Sequence, residues 1–499
     1  MALAVLCLAL AGGCGSEEAP STELPDALGY APKDAFAVVL VPTDFEGEQL
    51  RRLGHLVGPW LRENGAESLR SVVMDDADFG RQIDPLLGGT LVLTAYGDPD
   101  DPAVVAALDT PDAEKAQALA DKMEDVDMRA DGSTLVIGLN HGAGAIRDAI
   151  ARKQAGDGMT AAAFADAFGP GADDDALVRV LGDAKTLARE LDVDVDVPWI
   201  QALRWASAGL RLDDDEIDAH ARLSTDPDGV SEDDLPLATG DDPPEAGDLD
   251  GRISAANRDQ SRTTVFLATL ARKAYPNSTF VREVEKLEAD LGISFEDEVL
   301  AQFNGPSASI ATPDGDFAAV SDVADPDAMR ALLPKLAPRL PSILRGLRGL
   351  GNTGLVALLL MAPDAPLVPG ALPALGGGIE VRPVAREPDL YEITGLDTER
   401  LGEPEFAVPS VVFGMIGDRF VVATTLGEAR RVADMDVSEV DGARGAAVLR
   451  TDLGSWARDQ LERAYGVKTL PMREVTGDLQ ASLDGIEGRL RVEIPDGLD

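Results

Sequence analysis

The chain is 499 residues long, with 44 basic and 89 acidic residues and a formal charge of −45. That surplus excludes nucleic acid and anionic lipid headgroups as partners of its surface, because both require clustered Lys and Arg. With 45% hydrophobic residues and only two cysteines, Cys7 and Cys14, it must rely on a packed core, and its length favours two or more domains.

The N-terminus is the most telling stretch. Leu8-Ala9-Leu10-Ala11-Gly12-Gly13-Cys14 closes an apolar run on small residues and a cysteine, and a polar, acidic, Pro-containing segment, Ser16 to Pro25, follows. This has the form of a lipoprotein signal, in which small residues admit the peptidase and the thiol takes the lipid. We expect residues 1–13 to be removed as a signal peptide, Cys14 to be the lipid anchor, and residues 14–26 to form a flexible acidic tether. Ala11 stands where such signals usually carry a larger aliphatic residue. No basic residue precedes the run, which a translation start upstream of Met1 would explain. Once Cys7 leaves with the signal, neither a disulfide nor a cysteine zinc site is open to the mature chain. No other apolar run reaches the roughly 18 residues of a membrane-spanning helix. The expected location is therefore the outer face of the membrane or the cell envelope.

Residues 27–226 read as a first α+β unit. Asp78 to Gly89 forms a short amphipathic helix ending at glycine, followed by strands at Thr90 to Tyr96 and Ala103 to Leu108 and a helix opening on Pro111-Asp112-Ala113. A turn and strand at Asp131 to Gly138 lead into a helix at Gly142 to Arg152. Another strand lies at Ala176 to Asp183, and a closing hairpin pairs Ala206–Leu212 with Ile217–Leu223 across an Asp-rich turn. Asp192-Val193-Asp194-Val195-Asp196 would project three carboxylates from one face of a strand, either as part of a calcium site or as an acidic edge. The runs Asp173–Asp175, Asp213–Glu216 and Ser231–Asp242 read chiefly as a solvated face.

Residues 227–249 are acidic, contain Pro and Gly, and read as a linker. Residues 250–499 then repeat the series. Ser294 to Gly305 echoes Asp78 to Gly89, and strands follow at Ser307–Ala311 and Phe317–Val323. Pro326-Asp327-Ala328 opens a helix, Gly417 to Ala423 matches Asp131 to Gly138, and Ala446 to Asp452 matches Ala176 to Asp183. Leu479–Leu483 and Gly488–Ile494 close the second unit across Asp484-Gly485. The expected fold is α+β, with two tandem, internally duplicated halves, each an antiparallel sheet with helices on one face. The second half differs by an apolar insertion near residues 340–378, read as a cover for its own sheet or as a grip on an apolar ligand.

Catalytic motifs are scarce. Gly349-Leu350-Gly351-Asn352-Thr353-Gly354 fits the dinucleotide glycine pattern, but a helical, Arg-rich segment precedes it where a strand is required. Asp78-Phe79-Gly80 matches a kinase metal motif without its companions. The histidines, His55, His141 and His220, accompany no nucleophile elbow and no metal-ligand spacing, so each reads as a surface or satisfied residue. Trp199, Trp205 and Trp456 read as core.

Together, the lipid signal, Pro32-Lys33-Asp34-Ala35, the Leu87-Gly88-Gly89 lead into a strand, and the two Pro-Asp-Ala helices resemble a bacterial family of exported proteins catalogued as a domain of unknown function, the DUF 3352-like family. The resemblance covers nearly the whole mature chain and implies no catalytic residues. The apolar insertion and the extreme acidity depart from it. The expected function is that of a non-enzymatic, lipid-anchored extracytoplasmic protein. It would need no cofactor or metal, and would bind an envelope protein or apolar ligand but no nucleic acid. The alternatives are an exported hydrolase using paired carboxylates and a calcium-dependent adhesion module.

Overall fold

The computed structural model describes residues 24–63, 86–121, 127–172, 175–190, 195–213, 216–240, 245–247, 253–311, 316–347, 378–395, 410–435, 437–439, 445–452 and 474–494. The signal segment, Cys14, most of the tether, Asp78–Asp84, Asp192–Asp194, the glycine run at 349–354 and Trp456 lie outside these residues, as does the insertion between 348 and 377.

The first strands are β1 (Ala37–Pro42), β2 (Thr90–Asp98), β3 (Asp101–Asp109), β4 (Met128–Asp131), β5 (Thr134–Asn140), β6 (Val178–Asp183), β7 (Leu203–Leu212) and β8 (Glu216–Thr225). After β9 (Glu245–Gly247) come β10 (Ile253–Asn257), β11 (Ser307–Ala311), β12 (Phe317–Asp322), β13 (Glu380–Pro383) and β14 (Leu390–Thr394). The series ends with β15 (Ser410–Ile416), β16 (Arg419–Ala423), β17 (Val437–Glu439), β18 (Ala447–Asp452), β19 (Glu474–Ser482) and β20 (Gly485–Glu493).

β9 and β17 form a separate two-stranded ribbon, and the other eighteen make one sheet. Its pairings, all antiparallel, give the order β4–β5–β3–β2–β1–β6–β7–β8 for the first half. The second half continues as β20–β19–β18–β10–β11–β12–β16–β15–β14–β13. Read outward from the β8–β20 contact, both halves place their strands in the same sequence of connections, and the second adds β14 and β13 at its edge. The fold is α+β, and its closing hairpins fuse the two runs into a continuous sheet.

Helices cover both faces of each half, not one as the sequence reading expected. The reason lies in the strands. Val38-Val39-Leu40-Val41 in β1 is apolar at every position and buried throughout. A strand without alternation must be covered on both sides. Val38, Leu40, Val92 and Val136 pack beneath the helices Gly142–Ala155 and Ala161–Phe168. Val39, Val41, Leu93 and Leu135 pack on the other face with Leu86, Leu87 and the helix Ala113–Ala120. In the second half, the helix Leu426–Ala433 covers Ile310, Val320 and Val421 on one face. The helix Pro326–Leu336 covers Phe413 and Met415 on the other. Each such side chain contributes about 1.5–3 kcal/mol on burial.

The helix-opening acids behave as the dipole argument requires, with a shift of position. Asp112 caps its helix by accepting from the Lys115 amide at 3.0 Å. In the second half the cap is Asp325, one residue before the proline, accepting from Ala328 N at 2.9 Å. The segment read as an acidic linker is packed in its first part. Val230 and Leu235 are buried with Trp199, Ile200, Phe266 and Leu270, so the two halves share a core there. Leu237 is buried with Ala446 and Ala481. Of the apolar insertion, the helix Leu340–Leu347 is described, and its Ile343 packs against Val284, Leu287 and Leu332.

Candidate binding site at the junction of the halves

The closing hairpins carry more charge than strand interiors usually do, and alternation sorts it onto one face. On β8 that face presents Asp218, His220 and Arg222; on β20 it presents Glu487, Arg489 and Arg491; on β19, Asp478 and Gln480. β8 and β20 pair from Gly485↔Ser224 to Glu493↔Glu216, which sets Glu487 opposite Arg222, Arg489 opposite His220 and Arg491 opposite Asp218. A one-residue slip would turn this whole set to the opposite face, so the charges help to fix the register.

Asp218 is the centre of the array. It is 7% exposed, and Arg489 grips it with both arms, Nε at 2.9 Å and Nη2 at 2.5 Å. Arg211 Nη2 approaches the same carboxylate at 3.5 Å and also meets Asp213 at 2.9 Å. Burial by itself would push the Asp218 carboxyl up, but the hydrogen bonds and charge of Arg489 outweigh it and hold the group below the usual range. Glu216 moves the other way, raised by burial and then by the Asp218 charge. The outer pairs are looser: Arg222 Nε lies 3.2 Å from Glu487 Oε1, and Arg491 Nη2 lies 3.5 Å from Asp478 Oδ2.

Two glycines make room for these side chains. A Cβ on Gly209 would lie 2.2 Å from His220 Cε1, and one on Gly169, whose φ is +85°, would lie 2.2 Å from Arg222 Nη1. The His220 ring sits directly across the ladder from Gly209 and meets Phe168 edge-on at 5.3 Å. Ser207 Oγ donates to Phe168 O at 2.7 Å, tying the end of the covering helix to the sheet. Gly209→Ala is therefore expected to displace the imidazole and cost about 1–3 kcal/mol. Chemical denaturation of Gly209→Ala, His220→Ala and the double variant checks this. Most of the loss should disappear in the His220→Ala background, and equal losses in both backgrounds would refute the contact.

Around these residues lies a furrow of about 550 Å³, bounded also by Pro170 and Gly171. A second hollow of about 540 Å³ shares Arg222 with it and adds Lys33, Arg204 and Trp205. Either is large enough for a small-molecule ligand. In a chain charged at −45, the furrow gathers four arginines against three lining carboxylates, with Asp213 at its edge meeting Arg211.

The residues singled out from sequence are scattered. His220 lies in the furrow; His55 is on the helix Glu48–Glu63. His141 stands before the helix Gly142–Ala155 with φ 58° and its Nε2 3.3 Å from Asp101 Oδ1. Trp199 is buried and Trp205 partly buried against the core. Of the Asp192–Asp196 run, Asp196 lends its backbone carbonyl to Lys273 Nζ. Among the described residues, no group of three or more His, Cys, Asp or Glu is arranged to hold a metal ion, and no helix is long and apolar enough to cross a membrane. Sequence reasoning missed the furrow's arginines. Their signal was there in Asp218-x-His220-x-Arg222 and Glu487-x-Arg489-x-Arg491, two closing strands with charge at every second position.

No family model and no curated protein matches the chain. One solved structure, described as "Structure of crystal form III of TP0453", covers 40% of this chain and 79% of its own, at 10% identity and a TM-score of 0.24. That likeness is too slight to bear on fold or function.

Proposed function

We propose that this is a non-enzymatic, lipid-anchored extracytoplasmic protein that holds an anionic ligand of the cell envelope, bearing a carboxylate or phosphate group, in the junction furrow. The observation that carries the reading is the gathering of Arg211, Arg222, Arg489 and Arg491 in a concave site on a strongly acidic chain. Guanidinium groups match carboxylate and phosphate geometry with paired donors. The long contacts of Arg222 and Arg491 make these two the ones an incoming anion would recruit. Cys14 would fix the protein to the membrane through its lipid, with the acidic body held away from anionic headgroups.

A second reading, an exported hydrolase, draws on Glu216 and Asp218, two neighbouring carboxyls whose proton affinities are driven apart. The two-armed hold of Arg489 engages Asp218 as an ion-pair partner, which favours binding over catalysis.

The test has two arms. Intact mass and membrane fractionation of the native protein beside Cys14→Ser should show an acylated, sedimenting wild type and an unmodified, soluble variant. Calorimetry with citrate as probe should show binding that weakens with salt and falls about tenfold or more in the Arg222→Ala/Arg491→Ala double variant. Undiminished binding in that variant, or none in wild type, would refute the furrow reading. A soluble, unmodified wild type would refute the anchor.

A further inference from the structure

The pairing register equates the two halves position by position. In the first half Leu91 stands opposite Leu108, and Leu108 opposite Leu135. In the second the same places are held by Ser307 opposite Ser321, and Ser321 opposite Phe420. One ladder step away, Leu93 opposite Ala106 corresponds to Ser309 opposite Ala319. The first-half set is closed: Leu91, Leu93, Leu108 and Leu135 are buried in one cluster with Leu86 and Leu87. In the second half, serines stand in place of Leu91, Leu93 and Leu108 and Phe420 in place of Leu135, and a crevice of about 170 Å³ is open there. Its walls are Leu300, Phe303, Phe420 and Val422, its floor includes Ser321 and Ala319, and Gln260 and Thr264 border it from the helix Gln260–Ala274.

We propose that this crevice is a second ligand site, independent of the furrow, which takes a compact apolar group the size of one aromatic ring carrying a hydroxyl. The size follows from the volume, since a cavity of about 150 Å³ lined by apolar side chains accommodates benzene. The aromatic class follows from the walls. Phe303 and Phe420 meet at 5.1 Å and 74°, an edge-to-face pair that offers both a ring face and a ring edge to a third aromatic ring. The hydroxyl follows from the lining: the Ser321 and Thr264 hydroxyls donate to Asp322 O and Gln260 O and so present acceptor lone pairs, and the Gln260 amide adds a donor, beside an otherwise apolar wall. A site kept only for packing would gain from leucine at these positions, as the sister half demonstrates.

Phenol is the probe. An expected dissociation constant of about 1 mM lies well inside the ceiling that seven non-hydrogen atoms allow and is readable by ligand-observed saturation-transfer NMR. Ser321→Leu, which installs the residue of the sister position, should abolish the signal while leaving the melting temperature unchanged or higher. Ala319→Leu fills the same space from the neighbouring strand position and should do the same. The Arg222→Ala/Arg491→Ala variant should bind phenol like wild type, which separates this proposal from the furrow reading. Three results would overturn it: no phenol signal in wild type, an undiminished signal in both filled variants, or a melting temperature lowered by about 5 °C or more in both, since overpacking of that size means the space is not open.

Discussion

Trp199→Ala is expected to destabilise the protein by about 3–5 kcal/mol, because it empties the core that the two halves share. Trp199 is 1% exposed and belongs to the short helix Pro198–Ala202 of the first half. It meets Phe266, on the helix Gln260–Ala274 of the second half, edge to face at 5.7 Å. Val230 and Leu235, from the segment joining the halves, close the same cluster. One truncation therefore loosens three stretches of chain at once. Among the described residues the buried indole Nε1 finds no hydrogen-bond acceptor. Leaving a buried donor unmade costs about 1–3 kcal/mol, so Trp199→Phe removes a liability along with volume. We expect Trp199→Phe to cost less than half of what Trp199→Ala costs in denaturant midpoint at constant m-value. Equal losses would mean that the indole nitrogen is satisfied and that volume is not what matters.

That core explains what could and could not be read from the sequence. The hairpins were legible because their information is local. Apolar alternation in Ala206–Leu212 and Ile217–Leu223, with aspartates between, specifies two strands and a turn with no reference to the rest of the chain. The Pro-Asp-Ala helices were legible for the same reason. The pairing of β8 with β20 was not. It joins Asp218 to Arg489 across 271 residues, and nothing in either hairpin names the other as its partner. The two-sided helical cover was written in the unbroken apolar run of β1, but a rule of one helical face per sheet hid it. The furrow was missed because alternating charge on a strand ordinarily means a solvated face. Here the face opposite is apolar, and the strands lie at the middle of the sheet, so the charged side is half enclosed by the helix Ala161–Phe168. The crevice in the second half depends on comparing two sets of neighbours, Leu91, Leu108 and Leu135 against Ser307, Ser321 and Phe420. Those sets exist only once the register is known.

Asp218→Asn is the sharpest probe of the junction, with an expected loss of about 2–4 kcal/mol at neutral pH. Removing one partner of a buried ion pair leaves the other uncompensated, which typically costs about 3–5 kcal/mol, and the figure is set lower because Arg489 retains 45% side-chain exposure and asparagine can still accept a hydrogen bond. The pH dependence separates this from a packing effect. The Asp218 carboxyl is held below its ordinary value, so its stabilisation is fully present above the unfolded carboxylate range near about pH 4 and is lost as pH falls through the lower folded value. The stability gap between wild type and Asp218→Asn should accordingly be constant from neutral pH down to about 5 and narrow steadily below about 4. The same substitution in an Arg489→Ala background should cost far less, because the two residues act as one pair. A gap that stays constant to acid pH would assign the loss to packing. A full loss in the Arg489→Ala background would place the partner of Asp218 elsewhere, in Arg211. If both expectations hold, the contact that joins the two halves and the arginine-lined furrow above it are maintained by the same buried carboxylate. Ligand binding in the furrow and the integrity of the junction would then be thermodynamically linked, and the citrate affinity of Asp218→Asn would change with its stability.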